Sequence, residues 1–148
     1  MSDSLAATLN KFATDVIGLG IDTVSVQRID KMIVQYGERF LDRVFTDNEK
    51  SYCRTYTQSV ERFAGRWAAK EAVLKALGVG IAQGVCWKEI EIDAGADGAP
   101  SVRLAGTAGQ FSLDSGVSRV LVSISHCSGH CVANAFAIRH TKEPATAP

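Results

Sequence analysis

Apolar positions change period from one region of the chain to the next, and the changes mark out its elements. Val16 to Ile21 (VIGLGI) is a short apolar run closed by Asp22, which predicts a buried strand whose glycines admit close backbone approach and whose end presents the aspartate. From Val26 to about Tyr36, Val26, Ile29, Met32 and Ile33 form a helical stripe, with Arg28, Lys31 and Gln35 on other faces and Gly37 as the stop. A short helical piece follows at Phe40 to Val44. Thr46-Asp47-Asn48-Glu49 then has capping-box spacing and starts a helix that reaches about Tyr56. Val60 to Leu77 carries five alanines, one interior glycine and no proline, which makes it the longest helix, ended by Gly78.

The second half has a different texture. Val79 to Val85, with Gly80 and Gly84, reads as a loop. Two β-like runs, Trp87 to Ile92 and Ser101 to Leu104, flank the turn signal Asp97-Gly98, and Gly106 to Leu113 is a short helix. Val117 to Ser125 and Cys131 to Ile138 are rich in strand-forming residues and enclose His126-Cys127-Ser128-Gly129-His130, a second hairpin. One strand, then helices, then paired strands is an α+β order and not a regular βαβ alternation. Residues 1–15, polar and with a weak helical pattern at Leu5, Leu9 and Phe12, read as an N-terminal extension, 16–138 as one domain, and 139–148, with two prolines, as a frayed tail.

Composition narrows the class. A length of 148 residues suits one core, and 46% apolar with 22% charged residues is the make-up of an ordinary globule. Sixteen basic and sixteen acidic residues cancel, which argues against nucleic acid or a polyanionic membrane as the main partner and leaves electrostatic recognition to local patches. No run approaches the roughly eighteen apolar residues of a membrane span, and no leader pattern opens the chain, so a cytoplasmic location is expected. Cys53, Cys86, Cys127 and Cys131 are irregularly spaced and are expected to be reduced thiols.

The long helix carries the candidate chemistry, because its side chains can be assigned to faces. Ala69, Val73 and Ala76, with Ala72 and Leu77, make an apolar face that belongs in the core. Trp67, Glu71 and Lys75 fall on the opposite side, shared with Ala64, Ala68 and Leu74, so that side is expected to be partly covered too. Glu71 and Lys75, one turn apart, are either a helix-stabilising pair worth about 0.2–0.5 kcal/mol or part of a site. Asp22 supplies a second carboxylate at a strand end, and two carboxylates with a lysine can hold a magnesium ion against a pyrophosphate.

Four segments now matter together: Gly18-Leu19-Gly20-Ile21-Asp22 with Arg28 and Ile29, Arg39 to Thr46 (RFLDRVFT), Arg62 to Ala72 (RFAGRWAAKEA) through Lys75-Ala76-Leu77-Gly78, and Val122-Ser123-Ile124-Ser125-His126. In this order they closely resemble the successive motifs of the holo-acyl-carrier-protein synthases, the small single-module type of the phosphopantetheinyl transferases, over Gly18 to about Ala137. The resemblance implies an antiparallel sheet packed with one long helix and shorter helices. It implies an enzyme that moves the 4'-phosphopantetheine group of coenzyme A onto a serine of an apo acyl carrier protein, releases adenosine 3',5'-bisphosphate and supports fatty acid biosynthesis. By the same resemblance Asp22 and Glu71 bind Mg2+ and are catalytic, together with Lys75, which either stabilises charge or accepts the serine proton. Arg66, Lys70, Lys75, Gly78, Gly80 and His126 are implied to contact coenzyme A, with Arg66 and His126 at its 3'-phosphate. Arg28, Arg39 and Arg43 would dock the acidic carrier protein. A homotrimer with the coenzyme A pocket between protomers is also implied, which would account for a covered far side of the long helix.

Plainer readings stand beside these. His126 can be a structural residue at a strand end, the basic early helices a solvated surface, and Gly78 to Gly84 an ordinary helix-ending loop. Gly18-x-Gly20 suggests dinucleotide binding, but Thr23 occupies the third glycine position and no βαβ unit follows. His126, Cys127, His130 and Cys131 place four soft-metal ligands in six residues, so a zinc site, in a non-catalytic carrier- or metal-binding member of the fold, is the competing class. Strand alternation would split neighbours onto opposite faces, and no distant CxxC completes the set. The chain departs from the family pattern in the segment 1–15, in Ser25 where many members are acidic, and in Cys127 where threonine is common.

Overall fold

The computed structural model of the chain describes residues 14–140. Its elements are β1 (Thr14–Ser25), α1 (Val26–Tyr36), α2 (Glu38–Val44), α3 (Asp47–Arg54), α4 (Ser59–Leu77), β2 (Ile90–Ala94), β3 (Pro100–Leu104), α5 (Gly106–Asp114), β4 (Arg119–Cys127) and β5 (His130–His140). Strands β1, β5 and β4 form an antiparallel sheet in that order, and β2 pairs antiparallel with β3. The architecture is the expected α+β one.

Three boundaries differ from expectation. β1 begins at Thr14, inside the segment read as an extension, and pairs with β5 along its length, so Asp22 lies within the strand opposite Ala133 and not at its end. Cross-strand pairing sets this length, which hydrophobicity along one strand does not reveal. Residues 1–13, including the pattern at Leu5, Leu9 and Phe12, and 141–148 lie outside the described residues. The run at Trp87 starts as a 3-10 turn, Trp87–Glu89, because Glu89 turns back to accept the amide of Cys86 and also that of Ala108 at the start of α5. In the second hairpin the strands continue to Cys127 and His130, leaving a two-residue turn, Ser128-Gly129, with both φ angles positive.

The sheet face beneath α4 is built from small residues. Gly20, Ala133, Ala135 and Ala137 are buried there. A Cβ at Gly20 would stand 1.8 Å from the carbonyl oxygen of Ala72, and one at Gly18 would stand 1.9 Å from that of Ala76, so only hydrogen fits and α4 rests directly on β1. These glycines serve helix packing, not a nucleotide loop.

The other side of α4 is covered by the chain itself, which corrects the expectation that a neighbouring protomer accounts for it. Helices α1 and α3 and strand β2 touch α4. Trp67 stacks on Trp87 with ring centroids 4.8 Å apart and meets Phe40 at 5.8 Å, while Phe45 meets Phe63 at 4.9 Å. Beneath this layer Lys70, fully buried, reaches Glu49 at 2.8 Å and donates to the carbonyl oxygens of Trp87 (3.0 Å) and Ile90 (2.6 Å). Glu49 also accepts the amides of Thr46, completing the capping box, and Ile92. One buried ion pair thus ties α3, α4 and β2 together.

Candidate active site

The close seat of α4 on β1 brings three chemically active side chains together. Asp22 points from β1 to the α4 side, in line with Gly18 and Gly20, and Lys75 on α4 reaches across. The Lys75 ammonium donates to Asp22 Oδ1 at 2.8 Å and to the carbonyl oxygen of Ile21 at 2.8 Å. Glu71, one turn earlier and half-buried, completes the group. Burial pushes the Glu71 carboxyl above its ordinary range, the neighbouring Asp22 charge pushes the same way, and Lys75 and Arg28 oppose both. Asp22 and Glu71 together form an all-oxygen donor set suited to a hard divalent cation such as Mg2+. Among the described residues no group of three His, Cys, Asp or Glu side chains converges, so substrate oxygens and water would have to complete such a cation's shell.

A second cluster lies toward the start of α4, about 7.5 Å along the axis from Glu71 to Arg66 at 1.5 Å per residue. Here a cavity of about 180 Å³ is lined by Arg62, Gly65 and Arg66 of α4, Tyr52 of α3, Ile124 and His126 of β4, and the β2–β3 hairpin. Gly65 makes room for the imidazole, since a Cβ there would lie 3.1 Å from His126 Nε2. Arg66 is buried with its guanidinium 3.9 Å from the centre of the Tyr52 ring, and its Nε has no hydrogen-bond partner among the described residues. A buried cation with an unused donor fits a phosphate group. The sequence reading singled out Arg66 and His126, and one cavity holds both. It missed Arg62, Tyr52 and Asp93 in the same wall; Arg62 was within reach, being one turn before Arg66 on the same helix.

Other residues fall elsewhere. Lys70, expected at coenzyme A, is in the core with its donors spent on Glu49, Trp87 and Ile90, and it therefore does not face a ligand. Gly78 and Gly80 do not line the arginine cavity; they follow Lys75 at the far end of α4, where Gly80 N donates to Gln83 Oε1 at 2.8 Å. Arg28 is exposed on α1 and acts on Glu71 through its charge. Arg39 and Arg43 flank an open groove with Met32, Tyr36 and Phe40. Ser25 caps α1, its Oγ accepting the amide of Arg28 at 3.1 Å. In the His/Cys segment the registers place His126 and Cys127 on opposite sheet faces, which breaks up the zinc reading.

The chain belongs to the 4'-phosphopantetheinyl transferase superfamily, whose family model matches residues 18–135. A holo-[acyl-carrier-protein] synthase of Protochlamydia amoebophila is 44% identical over 122 residues, 82% of this chain and 96% of the relative. The crystal structure of the Neisseria meningitidis holo-[acyl-carrier-protein] synthase superposes with a TM-score of 0.77 at 32% identity, covering 83% of this chain and 98% of that one. That of the Helicobacter pylori enzyme, solved in complex with coenzyme A, gives 0.70 at 31% identity over 80% of this chain and 98% of its own. Within the superfamily the protein is an enzyme of the holo-acyl-carrier-protein synthase group, a phosphopantetheinyl transferase acting with coenzyme A and an acyl carrier protein. No helix among the described residues is long and apolar enough to cross a membrane.

Proposed function

We propose that the enzyme works with magnesium held by Asp22 and Glu71, releases adenosine 3',5'-bisphosphate, and serves fatty acid biosynthesis in the cytoplasm. The observation that carries this reading is the Asp22–Lys75–Glu71 group where α4 meets β1, with a cavity lined by Arg66 and His126 farther along the same helix. When bound, magnesium supplies positive charge against the coenzyme A pyrophosphate. Arg66 and His126 hold the nucleotide end by its 3'-phosphate. The carrier serine attacks the β-phosphorus, the bond to the bridging oxygen breaks so that this oxygen leaves with adenosine 3',5'-bisphosphate, and the serine proton passes to water. Lys75, already donating to Asp22 and Ile21, acts as an ammonium that stabilises charge and not as the proton acceptor. Catalysis is then mainly positioning and charge neutralisation.

The carrier is recognised by exposed Arg28 and by the groove between Arg39 and Arg43, whose apolar floor of Met32, Tyr36 and Phe40 suits an amphipathic acidic helix. The enzyme assembles as a homotrimer. Support comes from the sheet face away from α4, where Leu19 (63% exposed), Phe136 (39%) and Leu121 (45%) lie in one cross-strand row beside Ile21 (57%), a contiguous apolar patch of the kind that protein contacts cover. Light scattering should give three chains per particle, and a fully active monomer contradicts the assembly.

Incubation with an apo acyl carrier protein, coenzyme A and magnesium tests the chemistry. Chromatography should find adenosine 3',5'-bisphosphate in amounts equal to the modified carrier, none after chelation, and recovery on adding magnesium back. Transfer at an unchanged rate in excess chelator contradicts the metal role.

A further inference from the structure

Arg62 lines the same cavity as Arg66 and His126, one helical turn earlier on α4. Its guanidinium lies 4.4 Å from the centre of the Tyr56 ring, as that of Arg66 lies 3.9 Å from the centre of Tyr52, and the two tyrosine hydroxyls are 3.2 Å apart. Two cation–ring stacks therefore stand side by side, spaced by the pitch of α4 on one hand and of α3 and its continuation on the other. In both arginines the Nε is buried without a hydrogen-bond partner among the described residues. A guanidinium cannot shed its proton, so a buried unused donor costs stability unless an acceptor arrives. The carboxylate in the cavity wall does not serve: Asp93 pairs with Arg103 at 3.0 Å instead. Stacking on Tyr56 holds the Arg62 fork in place, so little rotamer freedom is left to lose when an acceptor binds.

We propose that Arg62 is a second guanidinium for the terminal phosphate of the nucleotide, and that with Arg66 and His126 it makes the enzyme select coenzyme A over the form lacking the 3'-phosphate. This rests on the reading that the arginine cavity takes the nucleotide end of coenzyme A. A phosphate dianion offers three acceptor oxygens, more than one bidentate arginine engages, which leaves a place for the second fork. The contact is remote from the transferring phosphorus, so it strengthens substrate and transition state alike and acts on KM, not on kcat.

Calorimetric titration of the full chain with coenzyme A and with 3'-dephospho-coenzyme A tests this. Wild-type protein should bind coenzyme A more tightly, and Arg62→Met, which keeps the apolar stem over Tyr56, should weaken coenzyme A binding about 10- to 100-fold, the span of one or two charge-assisted hydrogen bonds. Its affinity for the dephospho form should stay within about threefold of wild type, which also reports that the pocket is folded. Arg62→Lys should fall between. In turnover Arg62→Met should raise KM for coenzyme A with little change in kcat. Retention of the full wild-type preference by Arg62→Met overturns the role of Arg62 alone. Equal wild-type affinity for the two nucleotides overturns the assignment of the cavity, and the proposal with it.

Discussion

Helix α4 carries two lysine–carboxylate pairs of equal length in opposite settings. Lys70–Glu49 and Lys75–Asp22 both close at 2.8 Å, but the first pair has side chains 0% and 1% exposed and the second 50% and 17%. Lys70 has all three ammonium donors engaged and Glu49 accepts three bonds within the core, so the pair is a joint between elements. Lys75 and Asp22 sit at a water-accessible edge beside the half-buried Glu71, where their bonds can be exchanged for bonds to a ligand. Distance alone says nothing about role; burial and the number of remaining partners do.

The sharpest break of this comparison is removal of the buried lysine. Lys70→Met should cost about 3–5 kcal/mol, because it strands the Glu49 carboxylate in the core and leaves two carbonyls without a donor. Urea unfolding measures it, and a loss below about 1 kcal/mol would show that Glu49 does not depend on Lys70. The exposed pair should behave the other way. Lys75→Ala should lower stability by about 1 kcal/mol or less and transfer rate by about 10²- to 10³-fold, compared by melting and initial rates.

Gly20→Ala tests the scaffold that both pairs share. The added methyl meets the Ala72 carbonyl at 1.8 Å, so α4 must move, at a cost of about 1–3 kcal/mol and with a fall in activity as Glu71 and Lys75 leave register with Asp22. Smallest is the effect of the buried thiols. Burial raises the Cys53 thiol to about 12 and the Cys131 thiol to about 11, above their ordinary 9.0. Raised folded values mean that their contribution to stability is complete below pH 9 and is lost as pH climbs through these values. At neutral pH an alkylating reagent should therefore reach exposed Cys86 and Cys127 and spare the other two, as counted by intact mass; rapid fourfold modification contradicts the packing.

The parts of the molecule that the chain's own pattern revealed are the local ones. The capping box at Thr46, the stops at Gly37 and Gly78, and the apolar face of Ala69, Ala72, Val73 and Ala76 follow from spacing over one or two turns. What spacing could not reveal depends on partners distant in sequence. Lys70, which the family resemblance implies at coenzyme A, is drawn inward by Glu49 and the carbonyls of Trp87 and Ile90. Nothing in the helix itself shows that Trp87 folds back on Trp67 and covers that part of α4 from within the same chain. The proximity of Asp22 to Lys75, across more than fifty positions of chain, was accessible through ordered motifs and through Gly18 and Gly20, which already announced that a backbone comes close.

The central claim is that the partly accessible group of Glu71 and Lys75 on α4 with Asp22 on β1, and not the buried pair, performs the transfer. Glu71→Gln tests it most directly: initial rates of phosphopantetheine addition to an apo acyl carrier protein, followed by intact mass at a temperature where the variant melts as wild type does. The account predicts a rate lower by about 10²- to 10³-fold or more with the fold intact. A Glu71→Gln enzyme that modifies the carrier at the wild-type rate would contradict it.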